Sequence, residues 1–233
     1  MFTLLVFDLD GTLVDSRQDL AQATNHLILE YGGQPLDEDA VVHMVGEGAE
    51  KLIARAFTAA GLVPVPRGAL RRFLDLYGER LLVHTRAYEG VPEALEALSR
   101  VASLAVLTNK PREMSEVILQ GVGLAPFFSQ VLGGDGPHAR KPDPEGLRQL
   151  IADFDVAVEA TLLVGDSVID LRTARAAGTA IALARYGFGF RDVPPGELKG
   201  NELIVDAPQD LVDLLQDHGL GTRDQGLGTR DRG

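Results

Sequence analysis

The sequence predicts an α/β protein, a doubly wound Rossmann-like parallel sheet with an all-helical cap inserted after its first strand. Three observations predict it. Short unbroken apolar runs, such as Leu4-Leu5-Val6-Phe7 and Leu162-Leu163-Val164, alternate with helical patterns through the second half of the chain. Such runs read as strands buried on both faces of a parallel sheet. No convincing strand lies between residues 15 and 87. The first apolar run ends in Asp8 and Asp10, one residue apart, and in open α/β sheets the carboxyl ends of strands are where ligands bind.

Each element follows in order. Residues 3–8 read as the first strand. Ser16, with Asp19 three positions on, reads as the start of a helix running to about Tyr31. Helical stretches follow at about 37–45, 48–60 and 67–84, separated by Gly-Gly, Gly-Glu-Gly and Pro-Val-Pro. Pro92 opens the next helix, and Leu104–Leu107 is the second strand. A helix runs from Pro111 to about Gly121, and Val131-Leu132 is a short third strand. Asp143-Pro144 caps another helix before the fourth strand, Leu162–Val164. Gly178 ends the helix that begins at Ser167. Ala180–Leu183 and Glu202–Val205 supply the fifth and sixth strands, and a helix near 208–217 follows. The expected division is a catalytic core of 1–14 plus 88–218 and a cap of 15–87 that sets substrate specificity. Residues 219–233 carry two copies of Gly-Leu-Gly-Thr-Arg-Asp and read as a disordered tail, since glycine and charge cannot build a core.

Composition narrows the function. The 233 residues carry a formal net charge of −12, which argues against a general nucleic-acid or anionic-membrane binder. There is no cysteine, so disulfides, thiolate metal sites and cysteine nucleophiles are excluded. The N-terminal apolar run is too short for a signal peptide or a span, and the expected location is cytoplasmic. The expected partner is a small phosphorylated metabolite, and the expected assembly a monomer or homodimer.

Four strand ends carry reactive or phosphate-friendly groups. The first gives Asp8, Asp10 and Thr12; alone, it also fits an acidic turn after a strand. The second gives Thr108-Asn109-Lys110 just before a helix, where hydroxyl, amide and backbone N–H groups suit a phosphate, and where plain helix capping is the alternative. The third is Lys141 before Pro142. The fourth is Gly165-Asp166-Ser167-Val168-Ile169-Asp170, whose two aspartates share a face if a helix begins there. Four carboxylates and a lysine on one sheet edge suit Mg²⁺ and a phosphoryl group. No glycine-rich loop ends in Gly-Lys-Ser/Thr, so a P-loop nucleotide hydrolase is not indicated.

The order Asp-x-Asp-Gly-Thr, Thr-Asn, Lys-Pro and Gly-Asp-Ser-x-x-Asp resembles the haloacid dehalogenase superfamily in its phosphatase branch. Within it, Thr108-Asn109-Lys110-Pro111, Gly133-Gly134-Asp135, Gly46-Glu47-Gly48-Ala49 and Tyr186-Gly187-Phe188 look like the phosphoglycolate phosphatases. The resemblance implies a Mg²⁺-dependent phosphomonoesterase that hydrolyses 2-phosphoglycolate to glycolate and phosphate. It makes Asp8 the nucleophile and Asp10 the acid and base. It assigns the metal to Asp8, the backbone carbonyl of Asp10, and Asp166, with Asp170 reaching it through water or orienting the others. Thr108 and Lys141 hold the transferring oxygens, and Thr12 and Asn109 belong with the phosphate seat. In the cap, the resemblance places the specificity turn at Gly46, Glu47 and Gly48; Arg55, one helical face further on, is a candidate to meet the substrate carboxylate, with a solvated arginine as the alternative. Asp10 separates this chain from dehalogenases, which need no acid there. Phosphatases for sugar phosphate or pyrophosphate, and phosphomutases, keep both aspartates and stand as alternatives. A non-catalytic phosphometabolite sensor would need neither aspartate.

Overall fold

The computed structural model describes residues 1–220. The first strand, β1 (Leu4–Phe7), is followed by β2 (Val14–Asp15) and four helices: α1 (Arg17–Glu30), α2 (Glu38–Val42), α3 (Ala49–Ala59) and α4 (Ala69–Gly78). The chain returns through β3 (Arg86–Ala87) to α5 (Val91–Leu98), β4 (Ser103–Leu107), α6 (Arg112–Gly121), β5 (Gln130–Leu132) and α7 (Glu145–Asp153). It ends with β6 (Thr161–Gly165), α8 (Val168–Ala177), β7 (Ala180–Ala184), β8 (Leu203–Val205) and α9 (Pro208–Leu220). The expected tail, 219–233, lies outside the described residues apart from its first two positions, which close α9.

Six strands form one parallel sheet in the order β5-β4-β1-β6-β7-β8. This is the doubly wound arrangement: the chain winds outward from β1 through β4 and β5, then returns to start again at β6. The strand order reverses beside β1, so the carboxyl ends of β1, β4 and β6 bound the crevice where such sheets bind ligands. Period-two alternation divides β1 between two cores. Leu5 and Phe7 join a cluster with Leu95 and Leu98 of α5 and Leu211 of α9, whereas Leu4 and Val6 join one with Leu147 of α7 and Leu171 of α8.

The first cluster does not stop at the sheet. It continues through Leu9, Leu13 and Val14 into Leu27 of α1, Phe57 of α3 and Phe73 of α4. Within the insertion α1 packs against α2, α3 and α4. Both connections between core and insertion run through one antiparallel ribbon, in which Val14 pairs with Ala87 and Asp15 with Arg86. The sequence reading finds no strand here because a two-residue strand has no periodicity to detect.

One local expectation is corrected. Ser16 precedes α1, but it makes no side-chain cap. Its hydroxyl donates to Asp10 Oδ1 at 2.5 Å. Asp19 turns away too: its Oδ2 accepts from the backbone N–H of His84 at 2.9 Å and from the N–H and hydroxyl of Thr85, each at 2.8 Å. Tertiary partners outcompete the local capping box. The same contacts help explain why α4 stops at Gly78 instead of running on to 84, since residues 84–85 are fastened to α1. No helix among the described residues is long and apolar enough to cross a membrane.

Asp19 is fully buried, and removing it would leave Thr85's N–H and hydroxyl without their acceptor. Asp19→Ala is expected to cost about 3 kcal/mol of stability. Urea unfolding measures this, and a loss under about 1 kcal/mol would show that the clasp is dispensable.

Candidate active site

The carboxyl ends of β1, β4 and β6 converge on a cavity of about 230 Å³. Asp8, Asp10, Thr108, Asn109, Lys110 and Asp166 line it from the sheet side. Gly46, Glu47, Gly48, Arg55, Phe73 and Tyr77 line it from the insertion.

Asp8 follows the last residue of β1, and its N–H bonds to the Val164 carbonyl at 2.8 Å, which fixes its backbone to β6. Its Oδ1 accepts from the Leu9 N–H at 2.7 Å and from Lys141 at 2.9 Å. No hydrogen bond from the described residues reaches Oδ2. Lys141, 4% exposed, also donates to Asp170 Oδ1 at 2.6 Å. The Asp170 Oδ2 accepts from the Ser167 hydroxyl at 2.6 Å and its N–H at 3.1 Å, and Ser167 returns a bond to the Asp170 N–H. A capping box thus starts α8.

Asp166 is held by the loop after β7. Its Oδ2 accepts from the Gly189 N–H at 2.7 Å. Gly11 lies against the same carboxylate with φ +85°, and a Cβ there would fall 2.0 Å from Asp166 Oδ2. Only glycine satisfies both the turn and the approach.

Asp10 lies beyond the strand and has a separate set of partners. Lys110 Nζ donates to both of its carboxylate oxygens, at 2.8 and 2.7 Å, and the Ser16 hydroxyl donates to Oδ1 as well. Asn109 donates to the carbonyls of Gly46 and Lys141, both at 2.9 Å.

The charges define what the site needs. Burial, reinforced by Asp170 and opposed by Lys141, pushes Asp8 up to about 7. Burial followed by Asp170 and Asp8 raises Asp166 well above the usual carboxylate range. Burial works against the Lys141 ammonium, but Asp170 and Asp8 outweigh it and hold its pKa above the ordinary lysine value. Burial likewise opposes the Lys110 charge, and Asp10 with Tyr77 outweighs it. Asp8, Asp166 and Asp170 each offer an oxygen within 4.8 Å of the others. Three carboxylates so close, balanced by one lysine, are a hard-oxygen donor set that fits a divalent cation. Asp170 has both oxygens engaged, so Asp8 and Asp166 keep the freer donor atoms.

A family model of haloacid dehalogenase-like hydrolases matches residues 5–184. The chain belongs to that family. As a haloacid dehalogenase-like hydrolase it is 43% identical over 197 residues to a phosphoglycolate phosphatase of Rhodospirillum rubrum, covering 81% of this chain and 82% of that one. It is 34% identical to an N-acetylmuramic acid 6-phosphate phosphatase of Pseudomonas aeruginosa, covering 91% and 93% of the two chains. A crystal structure described as a predicted phosphoglycolate phosphatase from Haemophilus somnus superposes with a TM-score of 0.85 at 34% identity, covering 92% of this chain and 98% of that one.

Most residues singled out from the sequence of this hydrolase meet in the cavity or directly behind it. Lys141 and Asp170 stand behind Asp8 rather than in the lining. Thr12 is not in the lining: it is fully buried, and its hydroxyl has no hydrogen-bond partner. Thr108 and Asn109 line the cavity but do not cap α6, whose flanking residue is Pro111. Arg55 lines it with its guanidinium on Glu47 and on the Met44 carbonyl. Sequence reading missed Ser16, Tyr77 and Lys110 as partners of the Asp10 region. Lys110 lies a hundred positions from Asp10, and no local pattern joins them.

The raised Asp8 gives a pH prediction for metal-stripped protein. Between its unfolded pKa near 3.8 and about 7, folded Asp8 keeps a proton that the unfolded chain has released. The contribution of Asp8 to stability therefore falls as pH rises through this window and levels off above it, and the raised Asp166 adds a decline of the same sign. Thermal melts from pH 5 to 8 are expected to show that decline, with a shallower slope in Asp8→Asn. Equal slopes in both proteins would remove Asp8 as the cause.

Proposed function

We propose that this hydrolase is a Mg²⁺-dependent phosphomonoesterase working through an aspartyl-phosphate, with 2-phosphoglycolate as its substrate. The observation that carries the reading is the state of Asp8. One carboxylate oxygen is anchored by the Leu9 N–H and Lys141, while the other accepts no hydrogen bond from the described residues beside the cavity. That is what an in-line nucleophile requires.

In this reading Asp8 attacks phosphorus as the bond to the leaving alkoxide breaks. Asp10 gives the alkoxide its proton, then takes one from the water that hydrolyses the aspartyl-phosphate. Thr108 faces the phosphoryl oxygens, and Lys141, behind Asp8, offsets the repulsion between Asp8 and the incoming anion. Asp8, the Asp10 carbonyl and Asp166 would hold Mg²⁺, which supplies charge neutralisation at the phosphoryl group. Asp170 orients Lys141 and starts α8.

Residues 15–87 act as the cap that selects the substrate. Glu47 is shared between Lys51 and Arg55, and those two hydrogen bonds lower its pKa. The three side chains together carry one positive charge in excess beside the cavity, which favours an anionic substrate such as one bearing a carboxylate. Gly48 keeps the turn open: its φ is +89°, and a Cβ there would press on Arg140 at 3.2 Å.

Asp8→Asn is expected to lower turnover at least about a thousandfold with the circular-dichroism spectrum unchanged. Near-normal turnover in that variant would end the nucleophile assignment. A panel of 2-phosphoglycolate, N-acetylmuramic acid 6-phosphate, a hexose phosphate and pyrophosphate, each with Mg²⁺, tests the substrate. The expected result is the highest kcat/KM for 2-phosphoglycolate; a higher value for another ester would transfer the assignment to it and leave the phosphatase chemistry in place.

A further inference from the structure

The Asp10 carboxylate is tied to the insertion through a lysine. Lys110 is 7% exposed and Tyr77, on α4, 2%. The Lys110 ammonium has three partners: Asp10 Oδ1, Asp10 Oδ2 and the Tyr77 hydroxyl, the last at 2.8 Å. Nζ also lies 4.6 Å from the centre of the Tyr77 ring. Tyr77 is itself held by stacking on Phe73, one turn earlier in α4, with centroids 5.8 Å apart and planes 13° from parallel. All of these residues line the cavity. One residue earlier, Asn109 donates to the Gly46 carbonyl of the specificity turn. The segment after β4 is therefore fastened to the insertion at two points, and one of them ends on Asp10.

A buried ion pair is weak evidence of a stabilising role, because apolar side chains of similar size would pack as well at less desolvation cost. What a lysine with three directed donors adds is position. It fixes the plane of the Asp10 carboxylate, and proton transfer needs a carboxyl oxygen within hydrogen-bond reach of the leaving oxygen. Tyr77 makes that position depend on the insertion's being seated.

We infer that Lys110 and Tyr77 are positioning residues that align Asp10 for proton transfer when the helical insertion is docked on the sheet. The inference rests on the phosphomonoesterase reading above. In the step concerned, the bond from phosphorus to the leaving alkoxide breaks, the bond from phosphorus to Asp8 forms, and the Asp10 proton passes to the alkoxide. Neither Lys110 nor Tyr77 gains or loses a proton. A leaving group that departs as a stable anion has little need of that proton; an alkoxide needs it.

The test compares kcat/KM for 2-phosphoglycolate and p-nitrophenyl phosphate, since this constant reports steps only through formation of the aspartyl-phosphate. Tyr77→Phe removes one hydroxyl and keeps the ring. It is expected to lower the ratio of the two constants about tenfold, the worth of one hydrogen bond to a charged group. Lys110→Met is expected to lower the ratio about a hundredfold, within the range of general acid catalysis. KM for 2-phosphoglycolate should move less than kcat. An unchanged ratio in Tyr77→Phe overturns the inference, whether both activities are retained or both fall together. If Lys110→Met does not fold, Tyr77→Phe decides alone. If the unaltered protein releases phosphate from neither ester, the phosphatase reading fails and the inference falls with it. If only the variants change the ratio, both stand.

Discussion

The Lys141 ammonium is the interaction on which the site depends. It sits between the end of β1 and the start of α8, bonded to Asp8 at 2.9 Å and to Asp170 at 2.6 Å. Three carboxylates within 4.8 Å of one another repel, and burial worsens the repulsion by removing water. Lys141 offsets part of it and in doing so sets positions. With Lys141 on one oxygen, Asp170 has its other free to close the capping box of α8. That box places Ser167, and therefore Asp166, at the crevice. Burial first, and the neighbouring carboxylates after it, still hold the pKa values of Asp8 and Asp166 above the ordinary carboxylate value. A divalent cation in this corner would relieve the same repulsion without protons.

A second ammonium makes the first aspartate pair unequal. Asp8 and Asp10 lie two apart just past the end of β1, and two carboxylates sharing one space ordinarily share a proton. Here each has its own cation. Asp8 belongs to Lys141 and to the sheet. Asp10 belongs to Lys110, Ser16 and the segment entering the insertion. The difference in partners, rather than any difference in residue type, sets the two apart, as the proposed division into nucleophile and acid requires.

The strands and their functional ends were legible because their causes are local. A four-residue apolar run buried on both faces needs no partner to be recognised, and the Asp8, Thr108 and Asp166 motifs sit directly at strand ends. What was illegible depends on distant partners. Ser16 and Asp19 satisfy a local capping pattern, but each is claimed by a residue that the fold brings up from elsewhere. Lys110 follows Thr108 and Asn109 with no role of its own in the sequence, until the fold closes Asp10 and Tyr77 around it. Arg55 looks free to meet a substrate until Glu47 takes its guanidinium. Thr12, next to Gly11 in the first motif, turns into the packed interior because the tight turn after Leu9 carries it there, with hydrogen bonds from the Thr12 and Leu13 N–H groups to the Leu9 carbonyl.

The distribution of contacts between insertion and sheet suggests how the cavity opens. Apolar contact is continuous near the β2–β3 ribbon, where Leu9, Leu13 and Val14 join the insertion's core to one face of the sheet. The contacts at the cavity are polar: Asn109 to Gly46, Lys110 to Tyr77 and, nearer solvent, His43 to Asp192 at 2.7 Å. Arg191 and Asp39 add an exposed pair at 3.2 Å. Separating an apolar cluster exposes its whole surface to water, whereas a polar contact exchanges its partner for water at small net cost. In the proposed phosphatase an opening motion would follow the cheaper route, with the ribbon as hinge and the polar side parting. The Lys110–Tyr77 bond crosses the same side, but its partners are buried, so parting it would cost more than parting the exposed pairs. In that reading an open insertion would admit substrate to a site whose proposed nucleophile, Asp8, stays fixed by the sheet and Lys141, while its proposed acid, Asp10, lacks the contact through Lys110 to α4 that closing restores.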